Sequence, residues 1–360
     1  MVDLDVIRSS NTTIVRSQPL VAVFFGGTSG IGHYTLRALA TAESHGGKGL
    51  RAYLIGRKAE AAEAIVAECR KLYPAGEYIF VQANDLSLLR DVDRVCIEIM
   101  SLERGKSANP RIDYLMLSQG GAPFQPRKDT QEGIDATMSL LYYSRMRALT
   151  NLLPLLLQSP LPATAVSVYA AGYEGKLYPE DLSLRNPKLY SYNQARSHMI
   201  YMHTWFMDRL AEQHRGQLRL VHIFPGLVLG PAFQSPELPV WFRVFWRWVF
   251  VPLFGRLVSV PTGECGDRML GLLSPNRYPP RRDAITAGSG VQQQGSRKED
   301  VAVGTDGKPG SGVYSLNWKG ESNINLKAYG KFDPAEMKAK IWEHTMKVFE
   351  TIEAGDVFKD

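Results

Sequence analysis

A chain of 360 residues, 44% of them hydrophobic, can bury one large core, and its length suits a single α/β domain with insertions. The 42 basic and 36 acidic residues leave a formal charge of +6 spread along the chain, so no nucleic-acid partner is expected. Cys69, Cys96 and Cys265 lie too far apart for a metal site or a disulfide framework, so no metal is expected and a reducing, cytoplasmic setting fits.

Residues 1–19 are polar, lack the apolar core of a signal peptide and read as an N-terminal extension. Residues 20–25 are a continuous apolar run closed by Gly26 and Gly27, the pattern of a strand buried on both faces before a tight turn. Helical periodicity is expected from Ile31. Residues 51–55 read as a second strand, the Ala- and Glu-rich stretch 59–72 as a helix and residues 78–81 as a third strand. Leu88, Leu89, Val92, Val95 and Ile99 then recur at helical spacing. A fourth strand at 114–117, a long helix at 138–157, a fifth strand at 163–168, a helix at 191–214 and a sixth strand at 218–224 continue the alternation. An edge strand is expected at 312–316 and a C-terminal helix within 331–360. Strands alternating with helices at these intervals need right-handed crossovers, so the fold expected over residues 20–330 is a Rossmann-type doubly wound parallel sheet flanked by helices. Residues 278–311, heavy in Pro, Gly, Arg, Gln and Asp, read as a long mobile surface loop.

Gly26-Gly27-Thr28-Ser29-Gly30-Ile31-Gly32 joins the first strand to the first helix of the alternation. Glycines there let the backbone turn sharply and approach a pyrophosphate, which then sits on the positive end of the helix. The spacing matches a TGxxxGIG pattern with Phe25 in place of the threonine. In this the chain resembles the short-chain dehydrogenase/reductase family, and its overall pattern is most similar to divergent fungal members and to retinol-dehydrogenase-like enzymes.

The resemblance implies a nicotinamide dinucleotide held by Gly26, Thr28, Ser29, Gly30, Ile31 and Gly32. Where an NAD enzyme would place an acid for the ribose hydroxyls, the chain has Gly56-Arg57-Lys58. A guanidinium suits a 2′-phosphate, so NADP(H) is expected ahead of NAD(H); the alternative is that Arg57 merely caps a strand. Asp85, followed by Leu86, resembles the family's acceptor for the adenine amino group and is equally placed to N-cap the next helix. Gly120 matches the glycine of the family's NNAG motif, whose asparagines are missing. Pro225, Gly226 and Val228 match the PG turn that lies beside the nicotinamide.

Family members transfer the proton through a tyrosine four residues before a lysine. Here Tyr192 is followed by Arg196, which shares its helix face but replaces a point charge by a planar fork. Aligning Gly175-Lys176 and Asp181-Leu182 with retinol-dehydrogenase-like members puts Tyr169 at the usual serine position, with Ser167 two residues earlier on the same strand face. Ser139 is the nearest candidate for the helix asparagine.

After the PG turn, residues 231–260 stand where the family carries its substrate lid. Trp241, Phe242, Phe245, Trp246, Trp248, Val249 and Phe250 would cover a hydrophobic small molecule. The rival is an interfacial helix making peripheral membrane contact through residues 240–254, with Arg243 and Arg247 in the headgroups. Together with Arg256 these are too many charges for a membrane span. The resemblance also implies a homodimer through the helices at 138–157 and 191–214. The function expected is an NADP(H)-dependent oxidoreductase acting on a ketone or secondary alcohol of a hydrophobic secondary metabolite. The alternatives are a dehydratase, isomerase or cyclase using Tyr192, Tyr169 or a histidine such as His198 or His203, or a non-catalytic cofactor-binding protein.

Overall fold

Apolar strands with no polar face must be covered on both sides, and the computed structural model, which describes residues 2–281 and 301–360, shows how this is done. The chain opens with α1 (Leu4–Ser17), started by the Asp3 carboxylate accepting from Asp5 N at 2.8 Å. The alternation then runs β1 (Leu20–Phe25), α2 (Gly30–Ser44), β2 (Leu50–Gly56), α3 (Ala59–Leu72), β3 (Glu77–Gln82), α4 (Leu89–Lys106) and β4 (Tyr114–Leu117). The long helix that follows comes in three continuous pieces: α5 (Ala136–Met138), a π-helical turn Ser139–Tyr143 and α6 (Ser144–Leu156). Then come β5 (Ala163–Val168), α7 (Tyr192–Gln213) and β6 (Leu218–Ile223). A 3-10 turn Pro231–Gln234 leads to α8 (Val240–Phe245), a second π turn Trp246–Phe250, α9 (Val251–Val258) and α10 (Thr262–Gly271). β7 (Val313–Leu316), α11 (Leu326–Tyr329) and α12 (Pro334–Glu353) complete the order.

The seven strands form one parallel sheet in the order β3-β2-β1-β4-β5-β6-β7. Every residue of β1, β4, β5, β6 and β7 is buried, while the edge strand β3 is only partly covered. The order reverses between β1 and β4, and a crevice opens beyond the carboxyl ends of strands at such a switch point. The segments expected to hold cofactor and substrate all start at those ends.

Two segments gain detail beyond the sequence reading. The polar N-terminal extension is mostly helix α1, which docks on α10: Asn11 Nδ2 donates to Asp267 O at 2.9 Å and Arg8 pairs with Asp267 at 2.7 Å. In the expected loop at 278–311, residues 282–300 lie outside the described residues, but its described flanks are packed. Tyr278 is buried, and Thr305 Oγ1 donates to the buried Asp208 at 2.7 Å. The C-terminal helix α12 lies across α7, with Trp342 stacked on Phe206 at 4.8 Å, and reaches the π turn through Thr345 and Tyr142 at 2.8 Å. Among the described residues no helix is long and apolar enough to cross a membrane.

Candidate active site

The glycine loop is dictated by space as well as by torsion. Gly26 has φ +83°, and a Cβ there would lie 2.7 Å from Gln119 N; one on Gly32 would lie 2.5 Å from Gly26 O. The loop is thus pressed against the segment leaving β4. Ser29 N-caps α2 in extended conformation without a side-chain hydrogen bond, so its hydroxyl does not take the first-turn N–H groups. Thr28 and Ile31 are half-buried, and Thr28 fits against Gly56 at the end of β2.

Arg57 is exposed just past β2, and no ion pair holds it among the described residues; Gln82 Nε2 donates to its carbonyl at 3.3 Å. Asp85 is also exposed, above the buried Leu86. Its Oδ1 accepts from Ser87 N at 2.9 Å and Ser87 Oγ at 2.7 Å, which turns the carboxylate back on its own loop. It is therefore not the N-cap of α4. That task falls to Glu132, fully buried and distant in sequence, which accepts from Leu89 N at 2.6 Å and Arg90 N at 3.0 Å. Gly120 is exposed, and a Cβ there would meet nothing nearer than Leu141 Cδ2 at 3.9 Å, so packing does not require the glycine. The uncommitted Arg57, the open face at Gly120 and the α2 N-terminus fit an anionic dinucleotide.

Tyr192 is the first residue of α7, behind the Ser191 cap that accepts from Gln194 N at 3.1 Å. Its half-buried ring lies 5.2 Å from that of Phe124, whose φ of +61° is unusual for a residue other than glycine. Burial raises the Tyr192 phenol above its usual range, and Arg196 pulls it partly back. The Arg196 guanidinium itself sits 4.7 Å over the ring of Tyr173. Tyr169, directly after β5, is held far above the usual range by burial, is electrostatically coupled to Tyr192, and has a buried hydroxyl without a partner among the described residues.

Behind Tyr169 lies a buried polar chain. Arg145, on α6, donates to Ser167 Oγ at 2.9 Å, Val168 O at 2.7 Å and Gln119 O at 2.6 Å, and its charge lies 5.7 Å over the Tyr169 ring. Burial lowers its pKa to about 10, so it remains a cation at neutral pH. His203 Nδ1 faces Met199 O at 2.7 Å and donates there, leaving Nε2 to accept from Ser167 Oγ at 3.0 Å. The imidazole is neutral because burial drops its pKa to about 3, and His222 stacks on it at 4.8 Å.

The other candidates are placed as follows. Ser167 is fully buried with its hydroxyl engaged on both sides, and Ser139 donates to Ser87 O at 2.6 Å. Two tyrosines near Tyr192 are engaged elsewhere: Tyr190 donates to Asp135 at 3.3 Å and Tyr201 to Gly175 O at 3.1 Å. His198 accepts from Tyr178 N at 3.1 Å and, with its pKa lowered to about 4 by burial, is a structural imidazole. Pro225 and Gly226 follow β6, Gly226 lies against Val260 and Trp318, and Val228 is buried. Sequence reasoning missed Arg145 and Glu132. The one available signal was an arginine amid the apolar residues of the long helix.

No known family profile matches the chain. It is 34% identical over 360 residues to the short-chain dehydrogenase/reductase SAT2 of Stachybotrys chartarum, covering 98% of each chain. It is 35% identical over 346 residues to the oxidoreductase AN1596 of Emericella nidulans, covering 96% of this chain and 97% of that one. The fold is shared with the NADPH-dependent 3-quinuclidinone reductase of Rhodotorula rubra, at a TM-score of 0.50 and 19% identity over 74% of this chain and 88% of that one. It is shared equally with an NADPH-bound short-chain oxidoreductase of Pseudomonas aeruginosa described as containing an atypical catalytic center, at a TM-score of 0.50 and 20% identity over 72% of this chain and 92% of that one. With full-length relatives at this identity, on this sheet and behind this glycine loop, the chain is an oxidoreductase of the short-chain dehydrogenase/reductase family.

Proposed function

We propose that this enzyme is NADP(H)-dependent and interconverts a ketone and a secondary alcohol on an apolar natural product, with Tyr192 handling the proton. The observation that carries this reading is the pair of phenols at the end of β5 and the start of α7, one with a buried, unpartnered hydroxyl. When bound, the dinucleotide supplies or accepts the hydride. The glycine loop and the α2 N-terminus receive its pyrophosphate, Arg57 the 2′-phosphate and Asp85 the adenine amino group.

Tyr192 is protonated at neutral pH because burial raises it, so it donates to the carbonyl oxygen. Tyr169 lies beside Tyr192, electrostatically coupled to it, with its own hydroxyl sealed from the surface. Arg196, one turn along α7, makes the developing negative charge on the Tyr192 phenol less costly, while the Arg145 cation lies behind the Tyr169 ring. Ser167 and His203 act as positioning residues, since their polar atoms face each other and Arg145. Reduction should therefore hold through neutral pH and fall as alkali ionises Tyr192, while alcohol oxidation should rise over the same range.

A fluorescence titration tests the cofactor and a variant tests the acid. NADPH is expected to bind at least about tenfold tighter than NADH, and Arg57→Ala to erase the difference. Equal affinities in both proteins would remove NADP(H) from the reading. Tyr192→Phe is expected to leave NADPH affinity in place and cut turnover on polycyclic ketones by roughly a thousandfold; undiminished turnover would remove Tyr192.

A further inference from the structure

Residues 240–258 form one continuous helical rod from α8 through the π turn to α9, and the rod is apolar on the side that faces water. Trp241 is 71% exposed, Trp248 68%, Leu253 63% and Leu257 83%. Its other side is already filled. Trp246, only 7% exposed, stacks on Phe233 at 4.3 Å and Phe250 at 4.5 Å, and Gly255 rests against Leu229 in the segment that follows the PG turn. A helix serving only the core would put its polar residues outward, and this one reverses that order.

The charges on the rod identify the occupant. Arg243, Arg247 and Arg256 are its only charged residues, with no acid among 240–258. The Arg247 guanidinium lies 5.5 Å from the Trp248 ring, which places a cation beside an exposed indole. A second copy packed on this face would bring like charges together across the symmetry axis with no carboxylate to answer them. An anionic lipid surface answers the exposed Arg247 and the purely basic charge of the rod while its acyl boundary takes the exposed Trp, Leu and Phe side chains. We propose that residues 240–258 form an interfacial anchor that seats the protein on anionic phospholipid bilayers, lying in the headgroup layer without crossing it. This inference does not rest on the cofactor or on the assignment of Tyr192.

The test is co-sedimentation of the full chain with sucrose-loaded vesicles of phosphatidylcholine alone and of phosphatidylcholine with one third phosphatidylserine. Partitioning is expected to be roughly tenfold stronger on the anionic vesicles, to weaken with salt and to come with a blue shift of tryptophan emission. Trp241→Ala with Trp248→Ala should reduce binding by about tenfold on both compositions, whereas Arg247→Glu should remove mainly the anionic preference. Lys71→Glu, an exposed charge reversal on α3, should leave binding unchanged. Every substituted side chain is exposed, and circular dichroism checks that the fold survives. A chain that stays in the supernatant with both lipids overturns the proposal, as does binding that the double tryptophan variant does not weaken. So does a dimer in sedimentation velocity that Leu253→Asp dissociates while lipid binding is absent.

Discussion

Around β1 and β2 the site is made of backbone: a turn at Gly26, a close approach at Gly32 and a helix end whose cap residue leaves its amides uncovered. Around β5 and α7 it is made of side chains that depend on one another, Arg145 on Ser167, Ser167 on His203, and the Tyr169 ring on the cation above it. A backbone site tolerates no added Cβ but is indifferent to most side chains nearby. A side-chain site can exchange residues wholesale if every buried polar group finds a new partner. A glycine loop fixed by space can therefore persist beside a side-chain cluster whose residues vary.

The sharpest way to break the comparison is Gly32→Ala. Its methyl group meets the Gly26 carbonyl at 2.5 Å, so NADPH affinity should fall by about a hundredfold or more while the helical signal persists. Unchanged affinity would mean that the loop gives way and is not set by backbone contact. Next is Arg145→Met, which strips donors from Ser167, Val168 O and Gln119 O and should cost about 2–3 kcal/mol in denaturant unfolding. A more stable variant would show that the buried charge costs more than its three bonds return, and the interdependent picture of the β5 side would fail.

The smallest effect is on acid stability. His198 and His344 have pKa values lowered to about 4 and His203 to about 3, and His222 lies well below the usual value, all by burial. Each takes a proton more readily once unfolded, so its contribution is complete above the unfolded value of 6.5 and drains away as the pH drops toward 4. Glu43, raised to about 7, and Asp208, raised to about 6, work in the opposite sense, because the fold keeps their protons. The buried histidines therefore pull the melting temperature down on going from about pH 7 to about pH 5, and the raised carboxyls, Asp113, Glu132, Asp135 and Glu174 among them, oppose that fall. Glu43→Gln removes one opposing group and should steepen the fall; a shallower one would reverse the sign assigned to that carboxylate.

Much of this architecture was legible in advance because it follows from local apolar runs. The boundaries of β1, β4, β5 and α3 coincide with those read from composition and turn residues, since a strand covered on both faces needs unbroken hydrophobicity and a glycine or proline at its end. What stayed hidden depends on distant partners. α1 reads only as a polar extension until Asn11 and Arg8 meet Asp267. Asp85 is the nearest candidate for the cap of α4 in sequence, whereas the true cap, Glu132, is more than forty residues further along. Arg145 was overlooked because nothing in its helix reveals that two carbonyls and a serine converge on it.

The last stretch of the chain carries a consequence for how the protein is made. Phe358 N donates to Glu132 O at 2.9 Å, Arg185 clamps Phe358 O at 2.9 Å, and α12 covers Phe206 and Tyr142. A nascent chain still on the ribosome has every strand of the sheet available before it has the helix that shelters α7. Until residues 334–358 emerge, those aromatic faces stand open, and synthesis interrupted after β7 would release a sheet-complete but sticky product. The segment 334–358 thus works as a latch over α7, and its removal would uncover Phe206 and Tyr142.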